Sequence, residues 1–119
     1  MNKINLAQKF SLFTTQWDPK IVGELNNQHI KLVKFVGEFT WHSHDNEDEL
    51  FLVVKGSFDM QFRDKTIQVN EGEFIIVPRG VEHCPKADNE VQVMLFEPIG
   101  TINTGTAKSE KTILNPINI

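Results

Sequence analysis

An all-β barrel is the fold class this sequence predicts, and three observations carry the prediction. Between about Ile21 and Pro98, short apolar or alternating runs are separated by turn residues, the pattern of many strands at regular spacing. Several of these runs alternate with period two, which sets one face of a strand in the core and the other in water. Helical pattern is confined to one short stretch near the N-terminus.

That stretch, Asn5-Leu6-Ala7-Gln8-Lys9-Phe10, has room for one or two turns but is too short to hold a helix by itself. Asn26-Asn27 tolerates left-handed backbone and separates Ile21-Val22 from Ile30 to Val36, so it reads as a hairpin. Farther on, Phe58, Met60 and Phe62 alternate with Ser57, Asp59 and Gln61, and Ile67 and Val69 flank Gln68. Arg63-Asp64-Lys65 between those strands fits a second hairpin turn.

Two runs, Glu49-Leu50-Phe51-Leu52-Val53-Val54 and Phe74-Ile75-Ile76-Val77, are apolar on both faces, which a half-buried strand does not need. If Glu49, Phe51 and Val53 point inward, Leu50, Leu52 and Val54 point outward and require a cover. The N-terminal segment with Phe10, Phe13 and Trp17, the same strands of a second subunit, or both, can supply it; the expectation is a homodimer. The tail, Ile99 to Ile119, has few periodic apolar positions and reads as an irregular strap on the barrel or a frayed end, with a possible part in shaping a pocket mouth.

A chain of 119 residues with 39% hydrophobic and 24% charged residues suits one domain over residues 1–119. Within it the motif-bearing barrel covers about 21–98, with segments 1–20 and 99–119 packing on it. The net charge of -4 and the lack of a Lys/Arg cluster argue against a nucleic-acid surface. No stretch approaches the roughly 20 apolar residues of a membrane span, and Met1 to Phe10 lacks a signal-peptide core, so the expected address is the cytoplasm. Cys84 is the single cysteine, which excludes a disulfide framework and any multi-cysteine zinc cage.

Chemistry concentrates in Trp41-His42-Ser43-His44-Asp45-Asn46-Glu47-Asp48-Glu49. Residues two apart on a strand share a face, so His42 and His44 can converge on one point. Glu49 opens the next apolar run after a short acidic connection, and a chain reversal there brings its carboxylate to the imidazoles. Gly72 and Pro78-x-Gly80 bracket a buried strand and turn the chain so that His83 can return across the barrel.

These residues resemble the two motifs of the cupin superfamily. Gly37, four residues, His42-Ser43-His44, four residues, Glu49, six residues and Gly56 match the first, with its first gap one residue shorter than usual. Gly72, Pro78-Arg79-Gly80 and His83 match the second, with Ala87 where the family often has Asn. More narrowly, Trp41-His42-Ser43-His44, Asp48-Glu49-Leu50-Phe51 and Val77 to His83 are similar to a group of small bacterial cupins. The resemblance implies a double-stranded β-helix, or jelly-roll, barrel with His42, His44, Glu49 and His83 as ligands of one metal ion.

Three imidazoles and a carboxylate suit a divalent transition metal, with iron, manganese, nickel, zinc and copper all open. Four protein ligands leave two octahedral positions for water, dioxygen or a chelating small molecule. Phe51, Val53, Phe58, Met60 and Phe62 are the candidate lining of a mostly apolar pocket. The functional expectation is a metal-dependent enzyme on a small organic molecule, of oxygenase, isomerase or lyase type. A non-catalytic binding or sensing module is the alternative. His29 reads as an ordinary turn or surface residue, Asp45, Glu47 and Asp48 as a solvated loop, Cys84 as a buried structural thiol and Trp41 as packing. Asp48 is the alternative to Glu49 as the carboxylate ligand.

Overall fold

A computed structural model describes residues 1–119. Helix α1, Leu6–Phe10, begins where the Asn5 side chain accepts from the Gln8 N–H at 2.9 Å. Strands β1, Lys20–Leu25, and β2, Gln28–Glu38, form the first hairpin. Its two turn residues, Asn26 and Asn27, both have positive φ, 48° and 63°, as a tight hairpin joining right-twisted strands demands. Strands β3, Glu49–Lys55, β4, Ser57–Phe62, β5, Thr66–Asn70, and β6, Phe74–Val77, follow, with Arg63-Asp64-Lys65 turning β4 into β5. The long strand β7, His83–Pro98, and the short β8, Ile117–Asn118, complete the set.

β7 organises the barrel. One edge pairs antiparallel with β2 from Gln28↔Pro98 to Glu38↔Lys86. The other edge takes β4 from Phe62↔His83 to Asp59↔Lys86, and then β3 from Lys55↔Gln92 to Leu50↔Phe96. Gly56 sits where the neighbour changes; its φ is 92° and a Cβ there would lie 3.3 Å from the Glu90 carbonyl oxygen. β6 adds to the free edge of β3, and β8 runs parallel to β1. The result is an all-β barrel with one short helix, as the alternation predicts, and its form is the jelly roll that the resemblance implies.

Inner-face residues of β2, β3, β4 and β7, among them Val33, Phe35, Phe51, Val53, Phe58, Met60, Val91 and Val93, make the main core. On the outside of the barrel, Phe10, Phe13 and Leu32 form a second cluster with Leu6, Val22, Val54, Met94 and Ile119. The N-terminal segment therefore covers one end of the outer face. The rest is open: Leu50 and Leu52 are half-buried, while their ladder partners Ile76 and Phe74 are 52% and 60% exposed. No helix is long and apolar enough to cross a membrane.

Candidate metal centre

The site is assembled by pairing rather than by a continuous strand. β2 ends at Glu38, so His42 and His44 lie in a connection, not on the strand that their spacing suggested. His42 reaches β7 through an isolated antiparallel bridge: its N–H donates to the His83 carbonyl at 3.1 Å, and the His83 N–H returns the bond at 2.9 Å. Directly opposed residues of such a pair project to the same side, which sets the two rings 4.2 Å apart. His44 is fixed from two sides, because its carbonyl accepts from the Gly80 N–H at 2.8 Å and the preceding Ser43 carbonyl accepts from the Thr106 N–H at 2.9 Å. Glu49 opens β3 on its inward phase with Phe51 and Val53.

The ligand atoms of His42, His44, Glu49 and His83 lie within 4.8 Å of one another, and all four residues are buried. Two imidazoles have their tautomer set by the backbone. Nδ1 of His42 donates to the Thr40 carbonyl at 2.7 Å and Nδ1 of His83 to the Val81 carbonyl at 2.9 Å, which leaves each Nε2 with a lone pair. Nε2 of His44 and Nε2 of His83 approach Glu49 Oε1 at 2.7 and 3.6 Å, yet these three atoms make no hydrogen bond. Buried polar atoms without partners cost about 1–3 kcal/mol each, and a cation at their common focus removes that cost. The donor set fits a divalent transition metal.

The electrostatics agree. Burial, followed by the charge of neighbouring His83, lowers the His42 pKa to about 4, so the imidazole is neutral and ready to coordinate. Burial by itself would raise Glu49, but the neighbouring Glu97, His44 and His83 side chains outweigh it and hold this carboxyl well below its ordinary range. Asp48 is exposed and turned away, accepting the Arg79 backbone N–H at 2.8 Å, so Glu49 and not Asp48 joins the cluster.

A cavity of about 40 Å³ opens beside His42 and Glu49. Of the five candidate lining residues, Phe51 borders it; Val53, Phe58 and Met60 are packed in the core, and Phe62 faces an outer groove with Arg63 and Val81. Farther along β3 and β4 from Glu49, the inward side chains meet each other rather than free space. The walls come instead from Trp17, Pro19, Val33, Phe35, Phe39, Pro85 and Leu95, with Glu97 and Asn103 as polar members. Trp17 stacks on Phe35 and Phe39 with ring centroids 4.3 and 4.6 Å apart.

Glu97 is 1% exposed and its Oε1 accepts from Lys31 Nζ at 2.8 Å. Burial first, then the Glu49 carboxylate, pushes the Glu97 pKa well up against the pull of Lys31. Sequence reasoning passed over this pair, although the inward phase of Val91, Val93 and Leu95 continues to Glu97. Trp17 was read only as outer cover, and nothing local in the sequence marks its φ of 59° or its place in the wall. Cys84 is buried and Trp41 lies outside under the Arg63 guanidinium at 4.0 Å, whereas His29 lies on β2 and faces Glu24 across the first hairpin at 3.6 Å rather than in the turn.

Comparison with known proteins gives a consistent picture. The sequence model described as "Cupin domain" matches residues 32–98. The crystal structure of a cupin-2 domain containing protein from Shewanella frigidimarina NCIMB 400 is 45% identical with a TM-score of 0.79, covering 80% of this chain and 93% of that one. Protein NMB1881 from Neisseria meningitidis is 31% identical with a TM-score of 0.75, covering 82% of this chain and 99% of its own. Among curated proteins, Uncharacterized protein YdbB of Bacillus subtilis (strain 168) is 35% identical over 63 residues, or 52% of this chain. That match spans only 56% of the relative's length.

Proposed function

The chain belongs to the cupin domain family, and from that premise we propose that it is a metal-dependent enzyme acting on a small organic molecule. One observation carries the reading: four buried side chains, His42, His44, Glu49 and His83, aim their ligand atoms at a common focus within 4.8 Å of one another. Three imidazoles and one carboxylate favour iron, manganese, nickel, zinc or copper over magnesium or calcium. Once bound, such an ion supplies Lewis-acid or dioxygen chemistry to a molecule beside it.

The protein's own part is to bind, orient and keep out water. The backbone carbonyls of Thr40 and Val81 hold two imidazoles in the tautomer that leaves Nε2 free. Trp17, Phe35, Phe39 and Phe51 wall the cavity with apolar surface, and its small size restricts what can reach the site.

The test is metal analysis of purified protein followed by a substrate screen with and without oxygen. About one equivalent of transition metal per chain is expected, and replacing His42 and His44 together by Ala should abolish it. Unchanged metal in that double variant refutes the reading. Affinity should also fall as pH drops toward about 4, where the His42 imidazole of the folded site takes up a proton. Oxygen uptake would mark an oxygenase, and anaerobic turnover an isomerase or lyase. Ligand binding without turnover would leave a binding or sensing module.

A further inference from the structure

Besides glycines, Asn26, Asn27 and Trp17 take positive φ. Asparagine tolerates that backbone, but a bulky residue such as Trp17, at 59°, persists there only when its surroundings hold it. Here β1 covers the edge of β2 only as far as Leu32. Beyond it, the Trp17 N–H donates to the Lys34 carbonyl at 2.9 Å and its Nε1–H to the Val36 carbonyl at 3.2 Å. The indole stacks on Phe35 and Phe39 and forms part of the cavity wall with His42 and Glu49.

At about 40 Å³ the cavity has room for about three water molecules. For most organic ligands one wall must therefore yield. The residues of β2, β3 and β7 are locked in ladders, the Phe39 N–H bonds the Pro85 carbonyl, and His42 is bridged to His83. The Asn103 side chain is tied to Lys111 and Ile113. Residues 14–19, by contrast, belong to no strand and run between two anchors. One is β1; the other is Phe13, whose carbonyl accepts from Lys34 Nζ at 2.8 Å and whose ring packs with Phe10 and Leu32. Apart from the two Trp17 bonds, the segment is tied to β7 by one exposed hydrogen bond, from Gln16 Nε2 to Glu90 Oε2 at 2.7 Å.

We propose that Trp17 is a specificity-determining residue of the metal cavity: in place, its indole limits ligands to a few atoms, and larger ones bind only when residues 14–19 lift it out of the wall. The proposal rests on the metal reading above. Lifting breaks two hydrogen bonds and two ring stacks and relieves one strained φ, so the closed form is favoured. A larger ligand is then weakened in proportion to the fraction of molecules that are open. The same role accounts for tryptophan where glycine would suit the backbone better, because only a large side chain closes the wall.

The experiment titrates acetate and benzoate, which share a carboxylate and differ by methyl against phenyl, into cobalt-loaded wild type and Trp17→Ala, read by the visible spectrum of cobalt. Cobalt content is measured first in each protein. Wild type should favour acetate, and the benzoate-to-acetate affinity ratio should rise about tenfold or more in the variant while its cobalt content stays the same. Trp17→Leu, which keeps more of the wall, serves if the first variant does not fold and should give a smaller rise. A second readout follows the movement itself. With Trp41→Phe, Trp17 is the only tryptophan, and in zinc-loaded protein benzoate should shift its emission to longer wavelength where acetate does not. Retained cobalt with an unchanged ratio, or with neither acid binding to Trp17→Ala, overturns the assignment of Trp17 alone, and so does an emission that benzoate leaves unmoved. Wild type that holds no cobalt overturns the metal reading and this inference together.

Discussion

His42 couples the site to pH. Its pKa in the folded chain is about 4, lowered first by burial, against an ordinary value of 6.5. Between those values the unfolded chain binds more protons than the folded one, so folding stability rises with pH through the window. The contribution is fully present above pH 6.5, and it is lost as pH falls toward 4. A shift of this size corresponds to about 3 kcal/mol. Urea unfolding of chelator-treated protein at pH 7 and pH 4.5 should show the loss, and His42→Phe should flatten that part of the profile. Equal stability at the two pH values would contradict it. At this scale the ligand residues were legible because their spacing repeats a known pair of motifs. Glu97 was legible in principle, from its phase with Val91, Val93 and Leu95, but a charged residue at the end of an apolar run does not announce which face it takes.

At the scale of elements, the tail acts on the metal loop from outside. Thr106 bonds Ser43, and Gly105, at φ 53°, lies where any Cβ would collide with the Ser43 carbonyl oxygen and crowd Nδ1 of His44. Asn103 is tied back by its own hydrogen bonds to Lys111 and Ile113 while it borders the cavity. Gly105→Ala should therefore displace the loop that carries His42 and His44 and weaken metal binding by about 10–100-fold, the range for groups that support ligands. Competition titration with a chromogenic chelator measures this, and unaltered affinity would show that the loop holds itself. The hairpins were readable because each is closed by adjacent residues such as Asn26-Asn27. The strap was not, because contacts between residues 43 and 106 depend on where the barrel puts both, and Gly105 looks in sequence like any other loop glycine.

Considered as a whole molecule, the barrel leaves an apolar face beside the helix. Phe74 and Ile76 stand 60% and 52% exposed next to the half-buried Leu52 and Leu50, beyond the reach of the N-terminal cluster. Burying such side chains is worth about 1.5–3 kcal/mol each. We propose that the same face of a second copy covers this patch, since a two-fold contact satisfies both patches at once. Sedimentation should report a dimer at micromolar concentration, and Phe74→Glu with Ile76→Glu should convert it to a monomer that keeps its metal. A wild-type monomer refutes the dimer.

The hub role of β7 also orders events in time. During synthesis β2, β3 and β4 emerge before the strand on which all three pair, and His42, His44 and Glu49 emerge before His83. At about 5–20 residues per second, the 41 residues from His42 to His83 take roughly 2–8 s to follow. For that interval the nascent chain carries open strand edges and an incomplete set of metal-binding side chains, exposed to wrong pairing and to capture of whatever ion is at hand. The four side chains come together only in the finished barrel, so a factor that shields the first half of the chain until β7 arrives would protect both the fold and the assembly of the site.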